Sequence, residues 1–167
     1  MKVYINGKID SVTVSATTHE IFGEAETILQ LKGYETENPA SDEFMMRLGN
    51  ALRGVKLGCF YEHRVFNQVA EVMLYNMRVL SRCDAIYMLS NYIISNEAQL
   101  KMDFAEYSGI RCMFQDMDMA QLYLKRLFTK KLYQEESVVF DESNKDHIIK
   151  MELFLHNEIA KTWLPIR

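Results

Sequence analysis

Arg82-Cys83-Asp84-Ala85-Ile86-Tyr87-Met88-Leu89 runs from charged residues into an unbroken apolar stretch. After it come a polar loop from Ser90 to Asn96, a helix-patterned segment ending Phe104-Ala105-Glu106-Tyr107-Ser108-Gly109, and a second apolar run from Ile110 to Phe114. Two short continuous apolar runs with a helix between them read as a parallel βαβ unit, because strands covered on both faces lose the polar alternation of half-exposed ones. In such a unit a ligand sits beyond the carboxyl end of the strand, which here is the loop Ser90 to Asn96.

Outward from that unit the pattern repeats. Val3 to Asn6 reads as a first buried strand, and Gly7 after it lets the backbone turn or approach another group closely. Thr17-x-x-Glu20 has the form of a capping box. With the stripe Ile21, Ala25, Ile28, Leu29 and the stop at Gly33, it predicts a helix from about Thr18 to Lys32. Tyr34 to Glu37 follows as a short strand. Asn38-Pro39-Ala40-Ser41 then punctuates the chain before a helix capped near Ser41 or Asp42. Val55 to Tyr61 is ambiguous. The spacing Val65, Val69, Val72, Met73, Met77, Leu80 predicts a helix from His63 to Ser81 that leads into the strand at Ala85.

Beyond Phe114 a helix is predicted over Met119 to Phe128, a further edge strand at Val138-Val139-Phe140, and a helix to about Thr162 opened by Ser143-x-x-Asp146. The order β-α-β-α-α-β-α-β with a helical tail predicts an α/β fold. It is a doubly wound, mainly parallel sheet in a flavodoxin-like or Rossmann-like three-layer sandwich, with an added C-terminal helical segment. One domain over 1–167 is expected, with a core from 1 to 115 and an extension from 116 to 167 packed on it.

The 167 residues carry a net charge of −4 with basic residues scattered along the chain, so no polyanion footprint is present and nucleic-acid binding is not expected. No stretch reaches the length of a membrane span, and Met1-Lys2-Val3-Tyr4-Ile5 reads as a strand where a signal peptide would need a longer apolar core. Cys59, Cys83 and Cys112 suit reduced thiols of a cytoplasmic protein. Cys59-x-x-x-His63 is the one ligand-like spacing and lacks a second pair, so neither metal nor cofactor is expected. The eleven methionines read as core fillers, and His19, His63, His147 and His156 as surface or helix-end residues.

Val3-Tyr4-Ile5-Asn6-Gly7-Lys8-Ile9, Lys32-Gly33-Tyr34-Glu35 with Asn38-Pro39-Ala40, and Arg82 to Leu89 together resemble the nucleoside 2-deoxyribosyltransferase-like family, especially its uncharacterised bacterial and phage branch. The similarity covers about residues 1 to 115. It implies a flavodoxin-like sheet, chemistry at the bond between a nucleobase and 2-deoxyribose, and a homo-oligomer. The family uses a glutamate nucleophile on the helix after the third strand, a helper carboxylate on the preceding helix and a tyrosine on the first strand. A carboxylate suits an oxocarbenium-like state because it stabilises the developing charge and can trap the sugar.

Aligned through Cys83-Asp84-Ala85-Ile86, the nucleophile falls on Lys101, the helper on Asn76 and the tyrosine on Tyr4. An ammonium about 4 Å from a developing cation is unfavourable by roughly 4 kcal/mol at an effective dielectric of 20, close to a thousandfold in rate. Lys8 stands where the family has proline, whereas Tyr4, Gly7, Asp84, Ser95 and Ala98 keep their expected types. Asp84 reads as a cap at the strand start. Glu97, one turn before Lys101, reads either as half of an i,i+4 surface ion pair or as a relocated nucleophile. Lys8 and Lys101 either attract an anionic ligand at the carboxyl edge or point to water.

The expected pocket is therefore Tyr4, Gly7, Lys8, Asn76, Ser95 and Lys101, holding a nucleoside or nucleotide without the family's usual catalysis. A protein-interaction module that has lost the pocket, and an active N-glycosidase or deoxyribosyltransferase using Glu97, stand beside that expectation.

Overall fold

The computed structural model describes residues 1–9, 14–53 and 61–165, with 61–68 described by their backbone. The ambiguous stretch from Val55 to Phe60, which includes Cys59, and the side chains of His63 and Val65 lie outside the described residues. In chain order the elements are β1 (Lys2–Asn6), α1 (Ala16–Leu31), β2 (Glu35–Glu37), α2 (Asp42–Leu52), α3 (Tyr61–Leu80), β3 (Ala85–Met88), α4 (Asn96–Tyr107), β4 (Arg111–Phe114), α5 (Met117–Glu136) and α6 (Lys145–Thr162). The strands form one parallel sheet in the order β2-β1-β3-β4, flanked by helices in a doubly wound α/β arrangement, with α5 and α6 as a C-terminal helical segment.

The order of the strands is what makes a site. From β1 the chain moves to one side to form β2, then crosses back over β1 to form β3 and β4. The carboxyl ends of β1 and β3 therefore flank the point where the winding reverses. Register pairs Tyr4 with Ile86 and Asn6 with Met88 across that point. Along β1 side chains alternate between faces, so Tyr4 and Asn6 share the face covered by α3 and α4, while Val3 and Ile5 point to the other. Val3, Tyr4, Ile5, Ala85, Ile86 and Tyr87 are all fully buried, as strands covered on both faces require. Asp84 caps the sheet edge as expected, its carboxylate accepting from the Lys2 backbone N–H at 2.7 Å.

Met1–Cys112 form one compact unit and Met113–Pro165 a second. In the second unit, α5 and α6 pack together through Phe128, whose ring lies 5.6 Å from Phe154 and 6.0 Å from Phe140. Within the same unit the residues after α6 return to its start, Leu164 N–H donating to the Phe114 carbonyl (2.9 Å) and the Trp163 indole to the Gln115 carbonyl.

Several expectations are corrected. Val138-Val139-Phe140 is not a strand: Phe140 packs on Phe128 and stacks on His147 at 5.9 Å, so aromatic contacts fix this segment in place of a strand ladder. Of the two readings of His147, surface or helix end, the second holds: it lies in the first turn of α6 and is buried, its Nδ1 accepting from the Asp141 N–H at 3.1 Å. The helix predicted over Met119 to Phe128 extends from Met117 to Glu136, because the strong helix formers Lys130-Lys131-Leu132 and Gln134-Glu135-Glu136 continue it until Ser137 adopts a left-handed φ of 55°.

Two caps also move. Ser15, not Thr17, caps α1 by accepting from Thr18 N–H, and Asn144, not Ser143, caps α6 by accepting from Asp146 N–H. Ser143 is held instead by Asp141 Oδ1, at 2.8 Å from both its N–H and its hydroxyl. On α3, Val69 is 57% exposed, while the polar Asn76 takes a buried place.

Candidate functional site at the carboxyl edge

The loop after β3 is a 3-10 turn, Ser90–Ile94, and it is seated against the end of β1 through Asn91. Asn91 Oδ1 accepts from the Lys8 N–H at 3.0 Å, and a Cβ on Gly7 would lie 2.7 Å from the same oxygen and 2.9 Å from Leu89 Cδ1. Any larger residue here would have to displace the Asn91 amide and the Leu89 side chain. Lys8, half-buried, contributes its backbone to this contact. Within the turn Tyr92 is buried, while Ile93 and Ile94 are 49% and 67% exposed.

Behind that loop Ser95 caps α4, its hydroxyl accepting from Ala98 N–H at 3.2 Å, and α4 carries two of the candidate residues into contact. Lys101 Nζ lies 2.7 Å from Glu97 Oε1 and 5.7 Å from the centroid of the Tyr4 ring. The ion pair is one of the two readings of Glu97, but it is not an ordinary surface pair. The Lys101 side chain is 1% exposed and that of Glu97 41%. Lys101 therefore does not point to water. Burial pulls its ammonium below the ordinary lysine range, and the Glu97 carboxylate opposes that pull.

Tyr4 closes the other side of the cluster. Its hydroxyl donates to Asn76 Oδ1 on α3 at 3.2 Å, and its ring meets Phe44 edge-on at 6.4 Å, which in turn meets Tyr75 at 5.6 Å. Burial holds the Tyr4 phenol well above its usual range, with the Glu97 charge adding to the shift, so it is a neutral donor. Tyr4, Asn76, Glu97 and Lys101 are thus brought together on one face of β1. Gly7, Lys8 and Ser95 belong to the loop framework beside them. Among the described residues no group of three or more His, Cys, Asp or Glu is arranged to hold a metal ion, and no helix is long and apolar enough to cross a membrane.

A family model described as a domain of unknown function, DUF4406, matches residues 1–114. The chain belongs to that family. No curated protein and no solved structure matches the chain. The DUF4406 match runs from β1 to β4 and so takes in every residue of the cluster just described.

Two features of this DUF4406 domain lie outside the sequence expectations. Asn6, 1% exposed at the end of β1, donates from Nδ2 to the Ala98 carbonyl in the first turn of α4 at 2.8 Å and lies 3.3 Å from Met88 Sδ. Glu37, paired in register with Tyr4 across β1 and β2, is buried between Lys2 Nζ at 2.7 Å and Arg47 Nη2 at 2.6 Å. Burial alone would raise the Glu37 carboxyl, but the hydrogen bonds from Arg47 and Lys2 outweigh it and hold it below the ordinary value. A polar residue closing an otherwise apolar strand, as Asn6 does, is the available signal for the first. The short polar strand Glu35-Thr36-Glu37 offers none for the second.

Proposed function

We propose that the DUF4406 domain of this chain is a nucleoside 2-deoxyribosyltransferase-like fold that binds a nucleoside or nucleotide at the carboxyl edge and no longer transfers the sugar. The observation behind this reading is the buried Lys101, which stands at the position aligned with the family's nucleophile, 2.7 Å from Glu97 and over the Tyr4 ring. A nucleophile must present electron density to the anomeric carbon. This site instead presents an ammonium, whose field opposes an oxocarbenium ion. Glu97 is the carboxylate that remains beside it, yet one of its oxygens is engaged by that ammonium, which weakens it as a sugar trap.

The polar residues that remain form an uncharged wall behind the site. Tyr4 and Asn76 form a neutral pair fixed by packing, and the switch-point crevice is where folds of this kind take nucleotides. The test is a thermal-shift screen of deoxynucleosides and their monophosphates, followed by a chromatographic assay for free base. Stabilisation by at least one compound with no base released is expected. Base release that Glu97→Gln abolishes would establish the Glu97 glycosidase reading in its place.

An interaction module is a second reading, favoured by the exposed pair Ile93 and Ile94 beside the site. Light scattering then shows an oligomer that Ile93→Ser with Ile94→Ser dissociates, and no nucleoside shifts the melting point.

A further inference from the structure

The Asn6 side chain is held at one end and unsatisfied at the other. Its Nδ2 is committed to the Ala98 carbonyl at 2.8 Å, which fixes the orientation of the amide, because only the nitrogen can face a carbonyl. Its Oδ1 is buried and meets no donor among the described residues. A buried acceptor without a partner costs about 1–3 kcal/mol, so native structures leave few of them, and those few call for a partner outside the chain or for a role. Asn6 also occupies the position from which a ligand would be read. It is the last residue of β1, in register with Met88 at the end of β3, and its amide reaches the first turn of α4.

We infer that Asn6 is a ligand-reading residue, whose Oδ1 accepts a hydrogen bond from a neutral hydroxyl or N–H of the molecule bound at the switch point, a sugar hydroxyl being the class that fits. Glu97, next to Ala98 on α4, carries a further acceptor group, its side chain 41% exposed. An anionic oxygen has no proton to give to Asn6 Oδ1, so a hydroxyl or N–H is what this atom selects. This inference rests on the nucleoside-binding reading for its choice of ligand, but its residue is new to that reading.

The test uses the full chain with two probes, 2′-deoxyadenosine and free 2-deoxy-D-ribose, reading the Asn6 side-chain NH₂ signals by NMR and affinity by calorimetry. At least one probe is expected to shift the Asn6 signals, and Asn6→Leu to weaken that probe about tenfold or more, the loss that goes with one hydrogen bond to a buried acceptor. If Asn6→Leu fails to fold, the shift in the native protein decides alone. Failure of both probes to move the Asn6 signals overturns the inference. So does a water on Oδ1 that persists when the probe is bound. A probe that binds and leaves Asn6 unmoved removes this residue but spares the nucleoside reading; deoxyribose binding without nucleoside binding does the reverse.

Discussion

Lys101 separates two kinds of ion pair that sequence spacing cannot distinguish. A surface pair contributes at most about 1 kcal/mol, whereas a buried charge is tolerated only beside its partner. Because Glu97 reaches solvent while Lys101 does not, the two substitutions at this position should differ sharply. Lys101→Met removes the buried charge and leaves a carboxylate that water can solvate, so stability is expected to hold or rise. Lys101→Glu buries a carboxylate against Glu97 and is expected to lose about 3–5 kcal/mol. Urea denaturation measures both, and a loss under about 1 kcal/mol for Lys101→Glu would place the side chain outside the core.

Glu37 makes a pH-dependent case at the same scale. Its carboxyl sits below the ordinary 4.5 in the folded chain, so its contribution is fully present above that value and disappears as pH falls through the lower, folded-state value. Glu37→Gln is expected to cost about 1.5–3 kcal/mol at neutral pH, the range for hydrogen bonds to charged groups, and to flatten the loss of stability between about pH 5 and the acid limit. Denaturant midpoints of both proteins across that range check it. A wild-type slope unchanged by the substitution would mean that other carboxylates govern acid unfolding.

At the scale of elements, the sheet is legible in the sequence and the caps only in part: Ser41 caps α2 as expected, whereas the caps of α1 and α6 move. Strands covered on both faces advertise themselves as apolar runs, so Val3 to Asn6 and Ala85 to Met88 can be placed from sequence, and a doubly wound sheet follows from the helices between them, although the order of its strands does not. Caps depend on which of several Ser, Thr, Asn or Asp side chains actually meets an N–H. Thr17 and Ser143 have the right spacing, while Ser15 and Asn144 have the right geometry. The site divides in the same way. Gly7 is found through its place at the end of a strand, Asn76 and Lys101 through the resemblance aligned on Cys83-Asp84-Ala85-Ile86. The burial of Lys101 is invisible in the sequence because lysine is ordinarily exposed, and Asn6 reads as the end of a strand when it is also the amide that joins β1 to α4.

At the scale of the whole molecule, charge bears on which ligand is preferred. The chain carries −4 overall, and the buried cation of the site, Lys101, is held by Glu97 at 2.7 Å, so the field that would draw a phosphate to it is already cancelled. Lys8 presents its backbone N–H to Asn91, which commits that part of the residue to the loop. An uncharged ligand does not depend on that field and can use the Asn6 acceptor at the end of β1. 2′-Deoxyadenosine is therefore expected to bind at least as tightly as its 5′-monophosphate, with an affinity that salt leaves unchanged, because ionic screening has no net ligand charge to act on. Calorimetry of the matched pair at low and high ionic strength measures it. A monophosphate that binds about tenfold tighter at low salt and loses that advantage at high salt would show an uncompensated cation in the site and reverse the preference.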